Sequence, residues 1–136
     1  MSRELSEELT RSSAFRWMPE MLAGMQNDEG KIVVWMRVVS VRRGLITAAV
    51  DRYESAHPRA FTFERANWDK APPLPDLNDP ATVGCLLTLL QARKGEVSVE
   101  IAGDKVRVCA SGLVPIYAAT AGEAIAKVLV ALGGAS

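Results

Sequence analysis

Apolar residues recur along this chain at two spacings, three to four residues in some stretches and two in others, and the changes of spacing mark the elements. Between residues 75 and 95, PDLNDPATVGCLLTLLQARKG places Val83, Leu86, Leu87 and Leu90 at helical spacing, with Leu89 widening the stripe. Asn78 or Asp79 can cap such a helix with a side-chain oxygen, and Pro80 suits its first turn, where the N–H it lacks would be unpaired. Gly95 stops it just after Arg93 and Lys94. A helix apolar over so much of its circumference must pack under a sheet or other helices, so this stretch is expected to organise the fold.

After Gly95 the period changes to two. Residues 96–102 and 105–110 alternate as strands, with Gly103 and Asp104 as a two-residue hairpin turn and Val97, Val99 and Ile101 sharing a face with Val106 and Val108. A loop with Pro115 and Tyr117 follows. Thr120 and Glu123 then form a T-x-x-E capping box that opens a helix burying Ile125, Val128, Leu129 and Leu132, stopped by Gly133 and Gly134.

The first half is less regular. Residues 2–16 read as a short helix with Leu5 and Leu9 inward and Glu4, Glu7 and Glu8 near its positive end. In 15–25, FRWMPEMLAGM, Pro19 interrupts a set of Trp17, Met18, Met21, Leu22 and Met25 that can pack around a helical turn, so residues 1–30 are expected to be a helical segment. After a polar turn, residues 31–41 are β-branched on both faces, as in a central strand. Arg42, Arg43 and Gly44 supply a turn and 45–53 returns as an antiparallel strand, although Ala48 and Ala49 would also suit a helix. The alternation in 59–65 predicts another strand with Phe61 and Phe63 inward, and 66–78 reads as a proline-rich connection unsuited to helix or ladder. The expected fold is α+β, two-layer, an antiparallel sheet with helices packed on one face, in a single domain over 1–136.

Composition narrows the functions. Half-apolar character, 49% over 136 residues, supplies a core without staples. Sixteen basic and sixteen acidic side chains cancel, which argues against a protein devoted to coating nucleic acid. Cys85 and Cys109 lie in apolar context and are expected to be buried free thiols. Residues 1–10 are charged and lack the apolar stretch of a signal peptide, and no apolar run approaches the roughly 18 residues of a membrane span. A cytoplasmic protein that does not enter the membrane is the expectation.

Chemistry is sparse. His57, the single histidine, lies beside Pro58 in a polar stretch far in sequence from either cysteine, so a nucleophile–imidazole pair has little to build on. Two Cys and one His without motif spacing do not make a zinc site. Asp76, Asn78 and Asp79 fail as a calcium loop, since Pro80 takes a ligand position, Ala81 replaces the glycine and Leu87 the bidentate glutamate. No glycine-rich phosphate motif occurs. The paired carboxylates Glu4, Glu7 and Glu8 read as a solvated face. The expectation is no catalytic residue, no metal, no cofactor and no enzymatic activity.

Binding is the remaining class. Residues 31–70 hold eight basic and four acidic side chains, and residues 1–30 three basic and six acidic. Should Arg37, Arg42, Arg43, Arg52, Arg59 and Arg65 gather on one face with Trp35 or Tyr53, that face can take single-stranded nucleic acid by stacking and phosphate contact. The plainer expectation is that these arginines pair with the acids of the first helix. Trp17, Met21, Met25 and Trp68 are the candidate apolar contacts to a protein partner, with core packing as the ordinary alternative for the methionines. The run at 72–75, PPLP, matches an extended proline ligand but reads more simply as a stiff linker.

The N-terminal SRELSEELTRSSAFRWMPEML, the central PDLNDPATVGCLLTLL and the closing TAGEA resemble a group of small uncharacterised proteins encoded in bacteriophage and prophage genomes. The resemblance covers both ends and the centre and omits residues 26–71. It implies a phage accessory protein in a bacterial cytoplasm and carries no activity with it. Together these readings predict a non-enzymatic accessory protein that binds a host or phage protein as a modulator. The alternatives are a nucleic-acid-binding module using residues 31–70 and a homodimer that pairs through a sheet edge or an apolar face.

Overall fold

The computed structural model describes residues 3–26, 29–43, 45–53, 63–66 and 73–133. Its elements are, in order, α1 (Arg3–Arg11), β1 (Leu22–Gln26), β2 (Ile32–Arg42), β3 (Leu45–Tyr53), β4 (Phe63–Ala66), β5 (Leu74–Pro75), α2 (Pro80–Lys94), β6 (Val97–Ala102), β7 (Lys105–Ala110), β8 (Ile116–Ala118) and α3 (Ala121–Gly133). The class is α+β with antiparallel strands, as expected. The strands divide between two sheets, ordered β4-β3-β2-β1-β5 and β6-β7-β8. Two compact units follow this division. One joins Met1–Arg16 to Leu77–Ser136 and holds all three described helices with the three-stranded sheet; the other, Trp17–Asp76, holds the five-stranded sheet.

In the helix-bearing unit the start of α2 is decided by Asp79, whose carboxylate accepts from both the N–H and the hydroxyl of Thr82, each at 3.0 Å. With its hydroxyl so satisfied, Thr82 is fully buried beside Leu86, Leu89 and Leu90, while Val83 and Leu87, expected on the inward stripe, are only half-buried. Gly95 closes the helix by donating to the Gln91 carbonyl at 2.7 Å. Thr120 caps α3, its hydroxyl accepting from the Glu123 N–H at 3.2 Å. The α3 stripe buries Ile125, Val128 and Leu129, and Leu132 stays half-buried near the end.

The chain entering α2 passes so close to α3 that a Cβ on Gly122 would lie 1.8 Å from the Leu77 carbonyl oxygen. Leu5 and Leu9 of α1 are buried as the spacing predicts, and the Ser12 hydroxyl just past that helix donates to the Leu129 carbonyl at 2.9 Å. Leu9, Leu86, Leu90, Ile125 and Leu129 lose essentially all contact with water. Each such burial contributes about 2 kcal/mol. Helix α3 also covers β7 and β8, where Val108 and Ala118 are buried.

In the other unit β2 is central, as its two apolar faces predict, and it pairs with β1 and β3. The β2–β3 hairpin closes at Arg42 and Leu45, with Arg43 at φ 52, so residues 45–53 take the strand alternative. Two expectations need correction. Residues 15–25 form no helix: Met21 donates to the Met18 carbonyl in a turn, Glu20 sits at φ 82, and the chain then becomes β1, because five residues of ladder with β2 outweigh a helical cluster that Pro19 already interrupts. The proline-rich connection does contribute a ladder: Leu74 and Pro75 pair with Gly24 and Ala23, and the Asp76 N–H donates to the Leu22 carbonyl at 3.0 Å. Pro75 is tolerated there because β5 is an edge strand. The alternation at 59–65 yields β4 at Phe63–Ala66, and Phe61 lies outside the described residues.

Candidate functional site

Two places on the molecule have the makings of a binding site, the arginine-bearing face of the five-stranded sheet and the outer edge of the three-stranded one. On the first, Trp35 lies opposite Gly24 of β1 and Arg52 of β3. A Cβ on Gly24 would come within 2.7 Å of the indole, so glycine there is what lets the ring approach β1. The Arg52 guanidinium stands 5.3 Å from the ring centroid.

A β-bulge in β3 completes this face. Arg52 pairs with Trp35 and Val50 pairs with Met36, so Asp51 is the extra residue between them. In a regular strand Asp51 would face away from its neighbour Arg52. The bulge instead lets its carboxylate meet both arginines, Arg52 at 3.3 Å and Arg37 at 3.6 Å. Arg37 also donates to the Glu20 carbonyl at 3.0 Å, and Arg52 reaches Asp76 at 3.8 Å. The partners of these arginines are therefore Asp51 and Asp76, where the acids of α1 had been expected; in α1, Glu7 pairs with Arg3.

The sequence candidates are thus scattered. Trp35 is only 6% exposed beneath Arg52, so no bare aromatic platform remains beside the arginines. Arg42 and Arg43 are exposed at the β2–β3 turn. Met21 is fully buried, its sulfur 3.3 Å from the Met18 N–H, and therefore belongs to the core; Trp17 and Met25 are half-buried. Trp68, His57 and Arg59 lie outside the described residues, as does the side chain of Arg65. Cys85 and Cys109 are free, as expected, but half-buried.

The second place is the β6–β7 hairpin. Val97, Val99 and Ile101 pair with Ala110, Val108 and Val106, so they share one face as the alternation predicts. The face is covered unevenly: Val108 under α3 is buried, whereas Val99 is 38% and Ile101 86% exposed. On the opposite face Glu100, Arg107 and Tyr117 stand in a row across three strands. Its hydrogen bond to Glu100, and then Tyr117 beside it, hold the Arg107 guanidinium still more firmly protonated than usual. β6 is an edge of its sheet, and no backbone partner lies along its outer side among the described residues. It has no lysine, no proline and no bulge, the features that normally blunt such an edge.

The described residues of the helix-bearing unit also line two depressions. One, of about 500 Å³ between α1 and α3, sets Glu4, Glu8, Glu123 and Lys127 over an apolar floor and has neither a nucleophile nor an imidazole. The other, of about 470 Å³ at the open end of the hairpin, holds Cys109 with Ser98 and Ser111 but no base to activate them. Among the described residues no three His, Cys, Asp or Glu side chains converge as metal ligands, and no helix is long and apolar enough to cross a membrane. No protein-family model, curated protein or solved structure matches the chain.

The β6 edge was only half legible in the sequence. The hairpin and its turn could be read, and so could the lack of lysine and proline in VSVEIA; that β6 lies outermost depends on β8, because the stretch with Pro115 and Tyr117, expected to be a loop, forms a short strand on the far side of β7. The role of Asp51 left no sequence signal, because a bulge is a property of the pairing.

Proposed function

We propose that this chain is a non-enzymatic phage or prophage accessory protein of the bacterial cytoplasm that acts by binding protein, and that β6 is its binding element. The observation that carries the reading is the unprotected outer edge of β6 with Val99 and Ile101 exposed along it. An extended strand added there would satisfy the outward N–H and C=O groups, while its side chains cover the two apolar residues. Nucleic-acid binding is less well supported. Arg37 and Arg52 already meet carboxylates and Trp35 is covered, so on this face a strand of bases would have to displace contacts before making any with them.

The test is retrieval by the tagged chain from host or infected-cell lysate after nuclease treatment, alongside a Val99→Lys variant. A stoichiometric protein retained by the parent and lost by the variant is the expected result. Recovery of nucleic acid that disappears between low and physiological salt would move the function to the arginines.

A further inference from the structure

We infer that the strand taken up by β6 is β6 of a second copy of this chain, paired antiparallel with Val99 opposite Val99. The inference rests on the reading of β6 as a protein-binding edge and names its occupant. Three observations lead to it.

The turn comes first. Gly103 has φ 68 and Asp104 stays outside the left-handed region, the φ pattern of a type II′ turn, and the two-residue loop closes on Ala102 and Lys105. That closing pair is hydrogen-bonded, and hydrogen-bonded pairs alternate with the other kind along an antiparallel ladder. Ala102, Glu100 and Ser98 therefore turn their backbone groups toward β7, while Ile101, Val99 and Val97 turn theirs outward. The Ala110 carbonyl, opposite Val97, accepts from the Leu113 N–H and so points away from β6, as the alternation requires. The outward backbone groups thus belong to the apolar residues.

Register comes second. Two identical antiparallel strands continue a sheet with matching faces only when some residue lies opposite itself. Centring on Glu100 sets two carboxylates opposite each other, and centring on Ser98 carries Ile101 beyond the start of the other strand, opposite Gly95. Centring on Val99 avoids both faults. It pairs Val97 with Ile101, Val99 with Val99 and Ile101 with Val97, each pair exchanging two backbone hydrogen bonds. The apolar row continues across the junction, and on the other face Ser98 lies opposite the Glu100 carboxylate that Arg107 already holds.

The third observation concerns the other edges. β8 is three residues long and follows Pro115, and β5 is two residues long and contains Pro75. β4, the other edge of the five-stranded sheet, is four residues long with Glu64 and Arg65 at its centre, so of the four edges β6, with six residues, is the longest and the least protected. Two copies joined through it form one continuous sheet with β8 at each end.

Sedimentation equilibrium tests this directly, using the parent chain, Val99→Lys, Val99→Glu and an equimolar mixture of the two variants. The parent is expected to approach the mass of two chains as concentration rises. Each variant alone should stay at one chain, with the parent's far-UV circular dichroism and with the melting that the parent shows at dilutions where it too is a single chain, and the mixture should return to two because lysine then faces glutamate. Val99→Pro, in which the N–H that is lost is an outward one, should abolish the two-chain species without adding charge. A parent that remains a single chain, a two-chain mass indifferent to these substitutions, or a mixture that fails to recover overturns the inference. If the parent is a single chain yet Val99→Lys still loses a retrieved protein from lysate, self-pairing fails while the wider reading of β6 stands. If Val99→Lys changes neither mass nor retrieval, both fail.

Discussion

Arg37 and Arg52, brought side by side on the five-stranded sheet, meet the Asp51 and Asp76 carboxylates, the Glu20 carbonyl and the face of Trp35. On the three-stranded sheet the outward N–H and C=O groups of β6 meet nothing among the described residues, and of the apolar side chains that belong to them Ile101 is largely exposed and Val99 partly so. The composition of the two stretches suggests the opposite. Residues 31–70 carry the charge that invites a ligand, and VSVEIA looks like an ordinary half-buried strand. Function follows what the fold leaves unsatisfied more closely than it follows residue type. A guanidinium beside two acids has little left to offer, whereas a neutral strand without a neighbour has a full row of directional groups.

Substitutions within the satisfied parts of the molecule should cost stability, and substitutions on β6 should cost association alone. The largest loss is expected for Gly122→Ala. Its Cβ would meet the backbone oxygen of Leu77, which cannot move without displacing the start of α2, so about 3 kcal/mol or more should be lost in urea denaturation. Gly24→Ala comes next: the methyl would press on the Trp35 ring and on the more yielding Ile32 end, costing about 1–2 kcal/mol and altering tryptophan fluorescence.

Asp79→Ala should remove about 1 kcal/mol by uncapping α2, since the Asp79 carboxylate accepts from both the N–H and the hydroxyl of Thr82. Asp51→Asn should cost less, about 0.5 kcal/mol, because the ion pairs are partly exposed and screened. It carries a sharper consequence. By releasing Arg37 and Arg52 it should create a salt-sensitive affinity for single-stranded oligonucleotide that the parent lacks, measurable by fluorescence anisotropy. Equal binding by parent and variant would show that the arginine face is already open and would erase the contrast between the two sheets. Ile101→Thr should leave the unfolding free energy of the dilute single chain within about 0.5 kcal/mol of the parent's while weakening the two-chain species.

The amino-acid sequence alone determined whatever depends on neighbours a few residues apart. The N-cap, read as Asn78 or Asp79 and taken by Asp79, the stop at Gly95, the Thr120 cap, the Gly103–Asp104 turn and the two-sided apolar character of β2 all rest on local hydrogen bonds or side-chain period, and each stands in the fold. Residues 15–25 were misread because the ladder that makes β1 a strand comes from β2, and the proline-rich stretch because its partner is again β1. Tertiary structure alone decided the division of the strands into two sheets, the bulge that turns Asp51 onto the arginines, and the outermost place of β6. The physical reason is common to all three. Which backbone groups find partners depends on how one strand pairs with another, and the period of a single strand carries no record of which strand will lie beside it or in what register.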